Sequence, residues 1–262
     1  MFFLMGSKFF FVTLFIAVAG GSYGSGEEPP PHLLLARNLV KSVSPDRNAY
    51  LGKKTRIVWP DAETPDEEVV NESVCSSFCA ALLRKTYALN KAGLIELFTE
   101  EWPEADELFE GISKGNAFEV IESLEDVKPG DFLVVNYQSE KAIPTGHAML
   151  ISGLPEKVGS HHSKSLPFVF HKEAKQTELD VSRVVEWHVP IIDSSKGPHG
   201  ANDTRFESAK NGQNDDGVGE GPIRLLSDKA GKIVGYTWSP LGSSRLWLAS
   251  ERPFVIGRWR VK

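Results

Sequence analysis

An α+β fold, with N-terminal helices packed on an antiparallel β-sheet, is predicted by three features of this 262-residue chain. Apolar residues recur at helical spacing in the first half; short strand-like apolar runs follow residue 130; and Gly, Pro, Asn and Asp clusters separate those runs. The elements follow in chain order. Lys8 precedes an apolar run from Phe9 to Ala19 and then small residues through Gly26, the layout of a secretory signal peptide, assigned to residues 1–25. The run is shorter than the ~20 residues that cross a bilayer, so an uncleaved N-terminal anchor is the lesser alternative. Residues 26–32, acidic and proline-rich, read as a flexible tether that includes His32, and residues 33–262 as one domain.

Leu34, Leu35, Leu39 and Val43 approximate helical spacing, and Pro45 stops that helix. Asp61 to Glu72, acidic and containing Pro65, reads as a loop. Val74, Phe78, Ala81, Leu82 and Leu89 then mark one buried helix face, with Ser73 as its N-cap. A further helix from Leu94 to Phe109 is broken at Pro103. After the turn Lys128-Pro129-Gly130-Asp131, strands are predicted at 132–137, 148–152, 167–171, 184–193, 223–226, 233–238 and 254–259. Residues 154–187 form an excursion, read as an inserted hairpin, and residues 196–221, rich in Gly, Asn and Asp, read as a long loop.

A net charge of −6 with scattered lysines leaves no basic face for nucleic acid. Membrane contact is expected only through the signal segment, and oligomeric state is not readable. Two cysteines in an exported chain do not make a disulfide framework, so they need another explanation. Cys75 opens the predicted helix, where free backbone N–H groups and the helix dipole stabilise a thiolate. Cys79, one turn on, suits the apolar core. The alternative for Cys75 is a buried or disulfide-linked thiol, although a bridge to Cys79 would distort the helix. No metal or other cofactor is expected. The cysteines lack zinc spacing, and Gly217-Val218-Gly219-Glu220-Gly221 lacks the Lys-Ser or Lys-Thr of a phosphate loop, so it reads as a flexible lid or turn. Among seven histidines, His147 opens the apolar strand Ala148-Met149-Leu150-Ile151, which would hold a general base rigidly. His199 with Asp203 is the rival catalytic or metal pair. Tyr236, Trp238, Trp247 and Trp259, at strand spacing, read as core more than as a sugar-stacking platform.

Cys75-Ser76-Ser77-Phe78, Lys128-Pro129-Gly130-Asp131-Phe132-Leu133 and Gly146-His147-Ala148-Met149-Leu150-Ile151, in that order, resemble the NlpC-type cell-wall peptidases of the papain-like cysteine hydrolases. Val74 and Ser77 depart from that family's Asp and Gly. The resemblance implies Cys75 as nucleophile, His147 as base and a third polar residue on the next strand, for which Asp193 is the candidate. Tyr50, Ser76, Ser77, His199 and Arg205 are the candidate substrate-binding residues, with Arg205 pairing a substrate carboxylate. The implied activity is cleavage of an amide bond in peptidoglycan stem peptides by a secreted or periplasmic enzyme. Alternatives are a lipid or other amide/ester acyl hydrolase or transferase, or a silent wall-binding domain.

Overall fold

The structure is a computed structural model that describes residues 28–52, 54–60, 68–138, 144–158, 169–170 and 184–260. The predicted signal peptide, residues 26–27 of the tether and most of the predicted inserted hairpin lie outside the described residues. No helix among the described residues is long and apolar enough to cross a membrane.

Helix α1 (Pro31–Ser42) starts on a proline, whose missing N–H costs nothing at a first helical position, and buries Leu33, Ala36 and Leu39. The tether is therefore shorter than predicted. His32 lies in the first turn of α1, 2 % exposed, with Nε2 donating to the Gly130 carbonyl at 2.7 Å and Nδ1 2.6 Å from the Tyr87 hydroxyl. Helix α2 (Cys75–Tyr87) ends at Ala88, which adopts the left-handed conformation. Its N-cap is Val74, not the predicted Ser73. The predicted 94–109 helix is two, α3 (Lys91–Phe98) and α4 (Ala105–Ser113), because Thr99 turns left-handed and Pro103 follows.

A small sheet precedes α2. Strands β1 (Asn48–Tyr50), β2 (Arg56–Val58) and β3 (Val70–Ser73) order as β1-β3-β2, with β1 parallel to β3. The C-terminal end of the predicted 61–72 loop is thus a strand. Its polar Asn71 and Ser73 are buried and hydrogen-bonded rather than solvated: Ser73 Oγ donates to Asn71 Oδ1 at 2.7 Å, and Asn71 Nδ2 donates to Asn48 Oδ1 at 2.8 Å.

The main sheet comprises β4 (Phe118–Val120), β5 (Phe132–Asn136), β6 (Gly146–Ile151), β7 (Glu156–Lys157), β8 (Val169–Phe170), β9 (Val185–Ser195), β10 (Gly217–Ser227), β11 (Ile233–Thr237), β12 (Arg245–Leu248) and β13 (Phe254–Trp259). It runs β4-β13-β5-β6-β9-β10-β11-β12-β8, with β7 beside β9, and is antiparallel except where β12 meets β8. Successive side chains alternate faces. Phe132, Val134, Ala148, Leu150 and Ile192 pack against Leu39, Phe78, Leu82 and Leu108 of the helices. Leu133, Val135, Met149, Ile151, Ile191 and Tyr236 form a second core on the opposite face. Burial on both faces is why β5 and β6 read as unbroken apolar runs. The sheet also curls. Tyr236 of β11 and Phe254 of β13 are five strand positions apart, about 24 Å in a flat sheet, yet their ring centroids lie 5.3 Å apart.

The predicted 196–221 loop is shorter than expected. It contains α5 (Phe206–Lys210), and Gly217 to Gly221 are not a lid or turn but the first half of β10, paired along its length with β9. The alternating glycines clear one face of that strand. A Cβ at Gly217 would strike Asn48 Oδ1, at Gly219 the Arg205 side chain, and at Gly221 the Asp203 carboxylate.

Candidate active site

Three elements bring Cys75, His147 and Asp193 together. Cys75 is the first residue of α2, and no acidic residue occupies that first turn to oppose a thiolate. Ser77 Oγ accepts from the Val74 N–H at 3.1 Å and donates to the Val74 carbonyl at 3.2 Å, which fixes the helix start. His147 is the second residue of β6. The β6–β9 register pairs Leu150 with Ile192, and its continuation sets Asp193 opposite Met149, one diagonal step from His147 on the same face. His147 Nε2 accordingly donates to Asp193 Oδ2 at 2.6 Å. The ring's Nδ1 is left for the sulfur, which also receives the Ala148 N–H.

Burial alone would push the Cys75 thiol up. The adjacent His147 imidazolium, its hydrogen bond and the Ala148 N–H outweigh both burial and the repulsion of Asp193, so the thiol is held below its ordinary value of 9.0. For His147, burial works downward, and the charges and hydrogen bonds of Cys75 and Asp193 raise it to about 10. The favoured state between those limits is a thiolate–imidazolium pair. Cys79, fully enclosed in the helix core, is driven well above the ordinary value by burial and by the neighbouring Cys75 and Asp193 charges. Both cysteines are free thiols.

Tyr50 is half-buried at the end of β1, paired in register with Ser73. Burial, the Cys75 charge and a hydrogen bond to the sulfur all raise its phenol above its ordinary value, so the hydroxyl stays protonated and donates toward the thiolate. Asn48 holds the strand in place: its Nδ2 donates to the Val218 carbonyl and its Oδ1 accepts the Val218 N–H, both at 2.8 Å. Ser194 Oγ donates to the Ser73 carbonyl at 2.8 Å, tying β9 to the strand that leads into Cys75.

The other predicted substrate contacts are placed differently. Arg205, 3 % exposed, faces inward: Nη2 donates to Asp193 Oδ1 at 3.0 Å and Asp203 Oδ2 at 2.7 Å, Nε to Asp203 Oδ1 at 2.9 Å, and Nη1 to the Ser195 hydroxyl at 2.6 Å and the Gly217 carbonyl at 2.8 Å. With its donors spent on the protein, it has no fork for a substrate carboxylate. His199 is buried too, with Nε2 2.8 Å from Asp193 Oδ2 and Nδ1 2.7 Å from the Trp238 carbonyl. Its tie to Asp203 runs through its backbone N–H at 2.9 Å, so the two side chains do not form the rival pair. Ser76 and Ser77 are buried, and Ser77 serves its own helix. Trp238 packs against the second core, as its strand spacing predicts, and its half-buried ring also lies edge-on to His147 at 5.0 Å, a contact that the spacing does not reveal. Asp193 is fully buried; burial acts upward on its carboxyl, and His199, Arg205 and His147 together pull it well below the ordinary carboxylate value.

His147, Asp193 and His199 each bring one potential ligand atom within 4.8 Å of the others. Those atoms are engaged with one another at hydrogen-bond distance, and a cation would have to displace both contacts. We assign them no metal.

The chain is similar to an uncharacterized protein of Acanthamoeba polyphaga mimivirus, 29 % identical over 232 residues that span 87 % of this chain and 96 % of the viral one. No family model and no solved structure matches it.

Alkylation provides a direct check on the sulfurs. Iodoacetamide is expected to label Cys75 with a pH midpoint below the ordinary 9.0 and to leave Cys79 unlabelled in the folded protein. Peptide mapping across pH 5–10 reads both. Equal labelling, or a Cys75 midpoint at or above 9.0, would remove the thiolate assignment.

Proposed function

We propose that this protein is an exported papain-like cysteine hydrolase, a divergent relative of the NlpC-type peptidases, that opens an amide bond in peptidoglycan stem peptides. One observation carries the reading: a thiol at a helix start shares an imidazole with a buried carboxylate, the imidazole engaging Asp193 through Nε2 and leaving Nδ1 to the sulfur. Export is supported by the apolar run from Phe9 to Ala19, and the peptide substrate by the motif order around Cys75, Gly130 and His147.

The Cys75 thiolate attacks the carbonyl carbon, forming an S–C bond and a tetrahedral oxyanion. Free N–H groups of the first α2 turn and the Tyr50 hydroxyl beside the sulfur are the donors proposed to receive that oxygen. The C–N bond then breaks as His147 passes its proton to the leaving amine. Neutral His147 next takes a proton from water, which attacks the thioester, releases the acid and restores the thiolate. Asp193 remains ionised and steadies the ring. The rate should rise with pH as Cys75 ionises and fall through about 10 as His147 loses the proton that the leaving group needs.

The test is incubation with purified peptidoglycan and, in parallel, with lipid-ester vesicles, followed by mass spectrometry of the products and of the acid-quenched protein. New amine termini in muropeptides together with an acyl adduct on the Cys75 peptide are the expected result. An adduct from the vesicles alone would transfer the same chemistry to acyl lipids. No adduct and no product from either would leave the hydrolase reading without support.

A further inference from the structure

The Asp193 carboxylate has more nitrogen partners than a histidine-orienting carboxylate requires, namely His147, His199 and Arg205, and the surplus has a pattern. We infer that His199 is a positioning residue: carrying protons on both ring nitrogens, it holds the Asp193 carboxylate in the orientation from which Asp193 orients His147. This rests on the reading of His147 as the base of Cys75.

The argument starts from what each His199 nitrogen faces. Nδ1 lies 2.7 Å from the Trp238 carbonyl oxygen, and Nε2 lies 2.8 Å from Asp193 Oδ2. A carbonyl oxygen has no proton to give, so Nδ1 must donate. Asp193 Oδ2 already receives the His147 Nε2 proton at 2.6 Å, while Oδ1 receives Arg205 at 3.0 Å. A carboxylate so placed accepts a second N–H readily, because its oxygens offer about four lone-pair sites. A neutral His199 would aim a bare lone pair at one of these oxygens inside a site where its side chain keeps 7 % exposure and Asp193 none. His32 is the contrasting case within the same chain. Its partners are a carbonyl and the Tyr87 hydroxyl, which can donate, so a neutral ring satisfies both, and burial lowers its pKa accordingly.

The charges agree with the hydrogen bonds. The groups around His199 are Asp193 and His147 on β9 and β6, Arg205 and Asp203 on the segment before and at α5, and Cys75 beyond His147 on α2. With His199 charged, the cations His147, His199 and Arg205 balance the anions Cys75, Asp193 and Asp203. With it neutral, a buried cluster keeps a net negative charge next to the nucleophile. The extra cation also offsets the repulsion that Asp193 exerts on the Cys75 thiolate.

Two measurements on the full chain test this. Nitrogen-15 NMR of histidine-labelled protein between pH 6 and 8 should show His199 with both ring nitrogens protonated and His32 with one. In His199→Gln, which can still donate one hydrogen bond but carries no charge, the Cys75 alkylation midpoint and both limbs of the kcat/KM profile should move to higher pH by roughly one unit. Alkylation at pH 6 would then slow about tenfold. A residue that merely filled space would lower the folded fraction without moving the midpoint. An unprotonated His199 nitrogen at pH 7, or an unmoved midpoint in a folded His199→Gln protein, would overturn the inference. If the variant does not fold, the wild-type spectrum decides alone. A wild-type Cys75 that titrates as an ordinary thiol beside a doubly protonated His199 would overturn the hydrolase reading while supporting the charge assigned here.

Discussion

If the protein is the hydrolase proposed above, Cys75→Ala is expected to abolish hydrolysis, lowering kcat/KM by a factor on the order of 10⁶, while leaving the fold intact. At 1.36 kcal/mol per tenfold, that corresponds to about 8 kcal/mol of lost barrier reduction. No other side chain can replace the sulfur. Tyr50 hydrogen-bonds to the sulfur, but its phenol is pushed above its ordinary value and stays protonated. Cys79 lies one turn deeper among Phe78, Leu82 and Leu83, where burial holds its thiol neutral. Cys75→Ser should fail almost as completely, because a hydroxyl in the same place does not ionise against His147. The fold should survive both changes, since deleting one buried sulfur costs about 1–2 kcal/mol. Thermal melting and activity measured on the same samples separate the outcomes. Residual activity above about 1 % in a folded Cys75→Ala protein would mean that the chemistry runs elsewhere. Cys79→Ala is the control, expected to soften the core and leave the pH profile where it was.

The α+β order was legible because its cause is local: apolar spacing changes from helical to strand-like at the Lys128–Asp131 turn, and both cores follow that change. Cys75 and His147 stand out by position, at a helix start and a strand start, where backbone geometry fixes a side chain's direction, whereas Asp193 follows from the third polar residue that the resemblance implies on the next strand. Arg205 had no such anchor. In a polar run its guanidinium reads as a solvent-facing hook, and only the long-range placement of Asp193, Ser195 and the Gly217 carbonyl turns it inward. The glycines at 217, 219 and 221 carried a usable sign of this. Their two-residue period is the period of a strand, and a strand with one bare face implies something bulky lying against it. The contact of Trp238 with His147 was hidden for the opposite reason, since an aromatic at strand spacing has the same appearance whether it packs on leucine or on an imidazole. The strands β1 and β3 were missed because their buried positions are asparagine and serine, whose partners are contributed by distant segments.

Arg205→Met is expected to be the most destabilising single change in the site, by about 3–5 kcal/mol at pH 7. Methionine preserves much of the stem that lies against the Gly219 backbone, so the loss isolates the guanidinium. Removing it strips donors from Asp193, Asp203, the Ser195 hydroxyl and the Gly217 carbonyl at once, all at buried positions. The pH dependence follows from Asp193. Its folded pKa is depressed, so its contribution is present above the unfolded value of 3.8 and is lost as pH falls through the lower folded value. Without Arg205 that folded value rises, and the Asp193 share of the stability advantage at neutral pH shrinks. The gap between wild type and variant should therefore be widest near pH 7 and narrow toward pH 3, where urea unfolding curves can be compared directly. A gap that stays constant over that range would place the loss in packing rather than in charge. His147 would feel the change as well, because an Asp193 freed from Arg205 can swing away from the ring it steadies. The folded fraction of Arg205→Met should accordingly show a lower kcat with KM little altered, the division expected when a base is misaligned rather than a substrate contact removed.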